Sequence, residues 1–308
     1  MNSENINQPK VLIGMSTFNS AGTVRKAIES VVGQSYSNWQ LNIRDANSTD
    51  ETISICQEFQ TLDSRICLIP LKETKGWLDS ARNHIISANS DYFAFLDGDD
   101  FISSNWLSEL VPIIEMSNCI AAFGKVKVID DRNMIVQNSA SNNKSFNFTN
   151  FESKTGRIAS SLLLPESFGL VNVLYGVWKT TAIYELAIAQ NLFQSENNWD
   201  FDYDQLFVLD SLLLGKIASS GNTSIFRRLK TAQSEIYLDK YGNYSSILRN
   251  NSIVSFLWEI LTVRPNFNLY LVWLRHHKKS GIYFMILAFR SVISVFSRIL
   301  LKIEHALR

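Results

Sequence analysis

The chain has 308 residues, of which 46% are hydrophobic and 19% charged, with 29 Lys+Arg against 29 Asp+Glu. That length buries one large core or two modest ones, and that composition excludes a disordered chain. A formal net charge of zero over the whole chain points to no polyanionic partner such as nucleic acid.

Read in chain order, the start MNSENINQPK is polar and lacks the apolar run of a secretory signal. VLIGMST (11–17) predicts a buried strand, followed by a helix over TVRKAIESVVGQ. WQLNIRD (39–45) predicts the next strand. Ser48-Thr49-Asp50-Glu51 then reads as a capping box, with Ser48 the cap and Glu51 reaching back, opening a helix through about Phe59. ICLIPL (66–71) predicts a third strand, WLDSARNHIISA a third helix and DYFAFL (91–96) a fourth strand. Such strand–helix alternation gives parallel strands in a doubly wound sheet, which binds ligands beyond the carboxyl ends of its strands. CIAAFGKVKVID reads as a further strand, and the Asn- and Ser-rich segment 137–155 as a loop. Helices are expected near 180–190 and 200–214, and again from about Ser234 to the end, with a linker near 240–250. Cys56, Cys67 and Cys119 sit at no metal-like spacing and read as small buried thiols of a reducing compartment.

Charge accumulates where the fourth strand ends. FAFLDGDDF (93–101) sets Asp97, Asp99 and Asp100 against a large apolar run. Like charges so close repel, and carboxylates beside a low-dielectric core need a neutralising partner. A divalent cation supplies one answer and a solvated turn the other. Asp45 and Asp97 both end strands, so the two are expected to face one crevice. Phe18, just past the first strand, reads either as a platform for a pyrimidine ring or as a core aromatic. Asp45 reads either as an acceptor for a pyrimidine N–H or as a carboxylate favouring the helix start that follows.

STFN (16–19), Gln34, DANSTDET (45–52), KGWLDSARN (75–83) and FLDGDD (95–100) stand in the order and spacing found in family 2 of the inverting glycosyltransferases, which this chain resembles over about 10–130 and more loosely over 170–230. The resemblance implies a GT-A-like α/β fold: a doubly wound mixed sheet flanked by helices, with a C-terminal helical extension. It divides the chain into a domain at 1–245, with a nucleotide-binding half at about 9–130 and an acceptor half at 131–245, and an extension at 246–308. It implies Ser16, Thr17, Phe18, Asn19, Asp45, Asp79, Arg82 and Asp97 as nucleotide-sugar-binding residues. A guanidinium fork such as that of Arg82 suits a diphosphate. Asp79, three residues earlier on the same helical face, is expected to orient Arg82 or touch the donor sugar. Asp97, Asp99 and Asp100 match the signature that holds Mn²⁺ or Mg²⁺ in the family, and hard oxygen donors suit those ions. Counting back from Gly215, Asp204 takes the position of the general base, with Asp202 the alternative. The chain departs from the family at Ala46, Tyr203 and Asp210, where a second acid, an acid and an arginine are usual.

The resemblance therefore implies an inverting transfer of sugar from a nucleotide-diphosphate donor, UDP favoured, to a hydroxyl of a glycan or lipid-linked acceptor in surface polysaccharide or lipopolysaccharide synthesis. A sugar-nucleotide pyrophosphorylase and a catalytically silent sugar-binding protein are the alternatives. From Arg264 to Arg308 there are eight Lys/Arg against Glu304. Within 281–301, Arg290, Ser294, Arg298 and then Lys302 recur every four residues, the pattern of a helix lying in an anionic membrane surface or packed on the catalytic domain or another subunit. The expected location is the cytoplasm, peripheral on the inner face of the plasma membrane.

Overall fold

The computed structural model describes residues 8–72, 77–136, 152–154, 156–158, 170–189 and 203–228. Its first half realises the strand–helix alternation of the sequence. The elements are β1 (Val11–Thr17), α1 (Val24–Val32), β2 (Trp39–Asp45), α2 (Thr52–Leu62), β3 (Ile66–Pro70), α3 (Trp77–Ile86) and β4 (Tyr92–Asp97). β3, β2, β1 and β4 lie side by side in that order and are parallel. β1 is buried at almost every position because helices cover both its faces, which is why it reads as a continuous apolar run.

The second half turns the sheet mixed. β5 (Phe101–Ile102), α4 (Trp106–Ser117), β6 (Ala121–Ile129), a 3₁₀ turn (Leu170–Tyr175), β7 (Val177–Lys179), α5 (Thr180–Ala189), α6 (Tyr203–Leu214) and β8 (Ile217–Arg228) complete the described elements. The full strand order is β3-β2-β1-β4-β7-β6-β8-β5. β7 is antiparallel to both β4 and β6, whereas β8 runs parallel to β6 and antiparallel to β5. The short β7 thus joins the parallel half of the sheet to the rest.

Trp106, Trp178, Phe93 and Phe123 are among the largest fully buried side chains. The Trp178 ring meets Phe207 of α6 edge-on at 5.6 Å, which seats that helix on the sheet. Gln34 sits inside this packing. Its Nε2 donates to the carbonyls of Ser30 and Ser103, and its Oε1 accepts from the Leu107 N–H, so it sews α1 to α4.

The expected capping box does not form. α2 starts at Thr52, and Asp50 supplies the cap: its Oδ1 accepts from the Thr52 N–H at 3.0 Å. Ser48 is occupied elsewhere, by Asp45 and Asn19. α4 contains Pro112, whose missing N–H obscures the helical pattern in the sequence. No helix among the described residues is long and apolar enough to cross a membrane. The linker expected near 240–250, the 246–308 extension and its 281–301 stripe lie outside the described residues, as does most of the 137–155 loop.

Candidate functional site

β1, β2 and β4 end at one level, and their paired residues alternate between the faces of the sheet. On one face Thr17 pairs with Asp45; on the other Ser16 stands between Arg44 and Asp97. The expected convergence of Asp45 and Asp97 at one sheet edge is present, but with their side chains on opposite faces.

Asp45 is fully buried. Its Oδ2 accepts from Thr17 Oγ1 at 2.9 Å and Ser48 Oγ at 2.6 Å, and its Oδ1 accepts from the Ser48 N–H at 2.8 Å. Asn19 adopts a left-handed φ of 47°. Its N–H donates to Ser48 Oγ and its Oδ1 accepts from the Thr49 N–H. Thr17, Asn19, Asp45 and Ser48 therefore fasten the loops after β1 and β2 to each other. Phe18, held between them, is 57% exposed, so it is not a core aromatic.

The acidic corner is built by β4 and the turn after it. One carboxylate oxygen from each of Asp97, Asp99 and Asp100 lies within 4.8 Å of the others. Gly98 is required there, because a Cβ would come within 2.6 Å of Thr17 Cγ2. The Gly98 N–H donates to the Ser16 carbonyl, and its own carbonyl accepts from Thr23 Oγ1 at the start of α1.

Neutralising charge comes from β8, which sequence reasoning missed. The stacked rings of Phe101 and Phe226, 4.4 Å apart, bring the end of β8 to this turn. The Arg228 N–H donates to Asp100 Oδ1 at 2.7 Å, and its Nε donates to the Asp99 carbonyl at 3.2 Å. Arg227 Nε lies 3.4 Å from Asp100 Oδ2. The Arg227 guanidinium stacks 3.9 Å from the centre of the Tyr175 ring and donates to its hydroxyl, which in turn donates to Asp97 Oδ2 at 3.3 Å. Burial pushes Arg227 down, but Tyr175, Asp100 and Asp97 outweigh it, and the guanidinium is held above its usual value. The pair FRR (226–228) was the only sequence signal, and nothing local ties it to residue 100.

Asp100 is buried and commits both oxygens to β8. The corner fits a hard divalent cation: its donors are carboxylate oxygens on one short turn, with Asp97 and Asp99 nearer solvent than Asp100. Asp99 and Asp97 are the residues that would hold it, with Asp100 serving as the buttress.

On α3 the expected Asp79–Arg82 pair is present, with Nη2 to Oδ1 at 2.9 Å. Asn83 Nδ2 also donates to Asp79, at both the carbonyl and Oδ2. Ser80 Oγ meets Ser16 Oγ at 2.7 Å, joining α3 to the end of β1. Asp204 lies in the first turn of α6, a helix that packs on the turn carrying Tyr175. Asp202 lies outside the described residues.

A mixed sheet of this strand order, helix-covered on both faces and acidic at the end of β4, is of the GT-A class. S. aureus TarS 1–349 is similar to it at a TM-score of 0.53, with 14% identity over 94% of this chain and 91% of that one. The same protein in complex with UDP matches at 0.52, with 16% identity over 88% and 71%. The pattern described as glycosyl transferase family 2 matches residues 12–162, and through this segment the chain is similar to that family. Putative glycosyltransferase EpsE of Bacillus subtilis is 38% identical over 109 residues, 35% of this chain and 39% of EpsE. The UDP-Glc:alpha-D-GlcNAc-diphosphoundecaprenol beta-1,3-glucosyltransferase WfgD of Escherichia coli is 30% identical over 125 residues, 41% of this chain and 49% of WfgD. The matches thus span less than half the length of these curated relatives.

Burial, opposed by Arg227 and reinforced by Asp97 and Asp99, pushes the Asp100 carboxyl from 3.8 up to about 7. The folded chain then holds this proton more tightly than the unfolded chain, so the group's stabilising effect is full below about 3.8 and lost as pH rises through about 7. In chelator, Asp100→Asn should gain melting temperature over the native chain as pH rises through that window. A pH-independent difference would remove Asp100 from the charge balance.

Proposed function

We propose that this chain is a metal-dependent inverting glycosyltransferase. It moves a sugar from a nucleotide-diphosphate donor, with UDP favoured, to a hydroxyl of a lipid-linked or glycan acceptor in surface polysaccharide synthesis. The observation that carries this reading is the acidic corner at the end of β4, one strand away from the exposed Phe18 at the end of β1. A hard-cation site and an aromatic platform on adjacent strand ends suit the two halves of a nucleoside diphosphate. Similarity of residues 12–162 to the glycosyl transferase family 2 pattern supports the transfer chemistry. The lipid-linked acceptor is supported by the names of WfgD and of a Campylobacter jejuni relative, GalNAc(5)-diNAcBac-PP-undecaprenol beta-1,3-glucosyltransferase, which is 33% identical over 104 residues. UDP is supported by its presence in the complex with TarS.

In the proposed reaction the Asp204 carboxylate accepts the proton of an acceptor hydroxyl as that oxygen attacks the anomeric carbon. The bond from that carbon to the diphosphate oxygen breaks, the electron pair leaves with the diphosphate, and the configuration inverts. Arg82, oriented by Asp79, stabilises charge on the departing group. Asp99 and Asp97 are the residues that would hold Mn²⁺ or Mg²⁺, which when bound would supply Lewis acidity toward that group. Phe18 stacks on the base, and Ser16, Thr17, Asn19 and Asp45 hold the loops that present it. The basic C-terminal stripe lies on an anionic membrane surface, which brings the site to a lipid-linked acceptor.

A panel of UDP-, GDP- and dTDP-sugars assayed with Mn²⁺ separates the alternatives. Release of nucleotide diphosphate is expected, pyrophosphate release indicates a pyrophosphorylase, and release of neither indicates a silent binder. Activity should vanish in EDTA and return with Mn²⁺ or Mg²⁺; full turnover in chelator dismisses the metal. Asp204→Asn should cut turnover by about 10³-fold or more while leaving UDP affinity within about twofold. Normal turnover in that variant would shift the base to Asp202. Full-length chain should float with anionic liposomes better than a 1–250 truncation, and equal flotation defeats the membrane role.

A further inference from the structure

Among the described residues, the Nε of Arg44 in the strand-end row is buried without a hydrogen-bond partner. Arg44 stands on β2 directly beside Ser16 of β1, and Ser16 stands beside Asp97 of β4. Laterally paired residues of parallel strands project from one face, so Arg44 shares the face of Asp97, two strands or about 10 Å away.

α3 covers this face. Its Ser80 touches Ser16, and its Asp79 attracts Arg44. Asp79 is nevertheless committed to Arg82 and Asn83. The Nε atoms of Arg44 and Arg82 are both buried with no hydrogen-bond partner. His84, behind them, offers no negative charge. Burial first, and Arg44 second, hold its ring neutral at a value of about 3. Burial also pushes Arg44 down, against the pull of Asp79. Among the described residues, two guanidiniums therefore share one carboxylate at this end of the crevice. The other end sets three carboxylates against Arg227 and Arg228. A guanidinium that loses water without gaining a partner lowers stability, so it is kept for something that binds.

We propose that Arg44 and Arg82 form an oxyanion-binding fork on the β2 side of the crevice, which takes an anionic group of the donor. This rests on the glycosyltransferase reading and deepens it. Two sources share the chemistry: the diphosphate itself, or the carboxylate of a uronic acid donor. Either presents paired oxygens that match guanidinium N–H groups. The polarity of the crevice, positive at β2 and negative at β4, aligns such a ligand, with its cation at the acidic corner.

The test is calorimetric titration of the full chain in Mg²⁺ with UDP, UDP-glucose, UDP-glucuronate and inorganic pyrophosphate. Native chain, Arg44→Val and Arg44→Lys are compared. Arg44→Val should weaken the bound anion by about 10–100-fold, the worth of a charge-assisted hydrogen bond. Arg44→Lys, which keeps the charge without the fork, should fall between. Equal loss for all three nucleotides assigns the fork to the diphosphate. Loss confined to UDP-glucuronate assigns it to the sugar carboxylate. The ligand-free Arg44→Val chain should also melt about 2–4 °C higher, because the variant removes an unpaired charge and adds a β-branched residue to an inner strand. Unchanged affinity for every ligand overturns the fork, and a lower melting temperature with unchanged affinity makes Arg44 structural. If the native chain binds pyrophosphate but no nucleotide, the transferase reading fails, while loss of pyrophosphate in Arg44→Val retains the fork. Binding of neither overturns both.

Discussion

Repulsion among Asp97, Asp99 and Asp100 is the constraint around which the rest is arranged. One oxygen from each carboxylate lies within 4.8 Å of the others, at the edge of an apolar core. The fold manages that charge from a strand more than a hundred residues further along the chain. Arg228 clasps Asp100 through its backbone and Asp99 through its side chain, while Arg227 reaches Asp100 and, through Tyr175, Asp97. β8 can deliver these groups because it lies between β6 and β5 and pairs Phe226 with Phe101, next to Asp100. The parallel β6–β8 pairing is therefore part of the site's electrostatics as much as of its scaffold.

The same economy governs the loops after β1 and β2. Asp45 is surrounded by Thr17 and Ser48, and Asn19 crosses to Ser48 and Thr49. A buried carboxylate with three hydrogen bonds is a rigid anchor. Its rigidity leaves Phe18 held out from the surface between the two fastened loops. Several residues that resemble ligand-binding positions in sequence thus fasten the two loops between which Phe18 is held.

Across the strand ends the charge changes sign. Arg44 and Arg82 stand at the β2 side and the carboxylates at the β4 side, with Ser16 between them. The Ser16–Ser80 contact ties α3, which carries Arg82, to that midpoint. The crevice is a polar track laid over strands that are otherwise apolar.

The sequence alone determined the parallel half of the sheet, because strand periodicity, helix periodicity and the abrupt stop at Asp97 are local properties. It also determined the acidic corner and the Asp79–Arg82 pair, since three-residue spacing on a helix is sufficient to bring those side chains together. The start of α2 was misread because Ser48 and Asp50 carry equivalent capping chemistry, and the hydrogen bond from Ser48 to Asp45 decides between them. Pro112 concealed α4 for a similarly local reason. Only tertiary structure could bring Tyr175, Arg227 and Arg228 to the acidic corner, or leave the Arg44 Nε without a hydrogen-bond partner among the described residues. Those facts depend on strand order and on which residues face one another across the sheet. Pairings between segments more than a hundred residues apart, such as Asp100 with Arg228, have no periodicity to announce them.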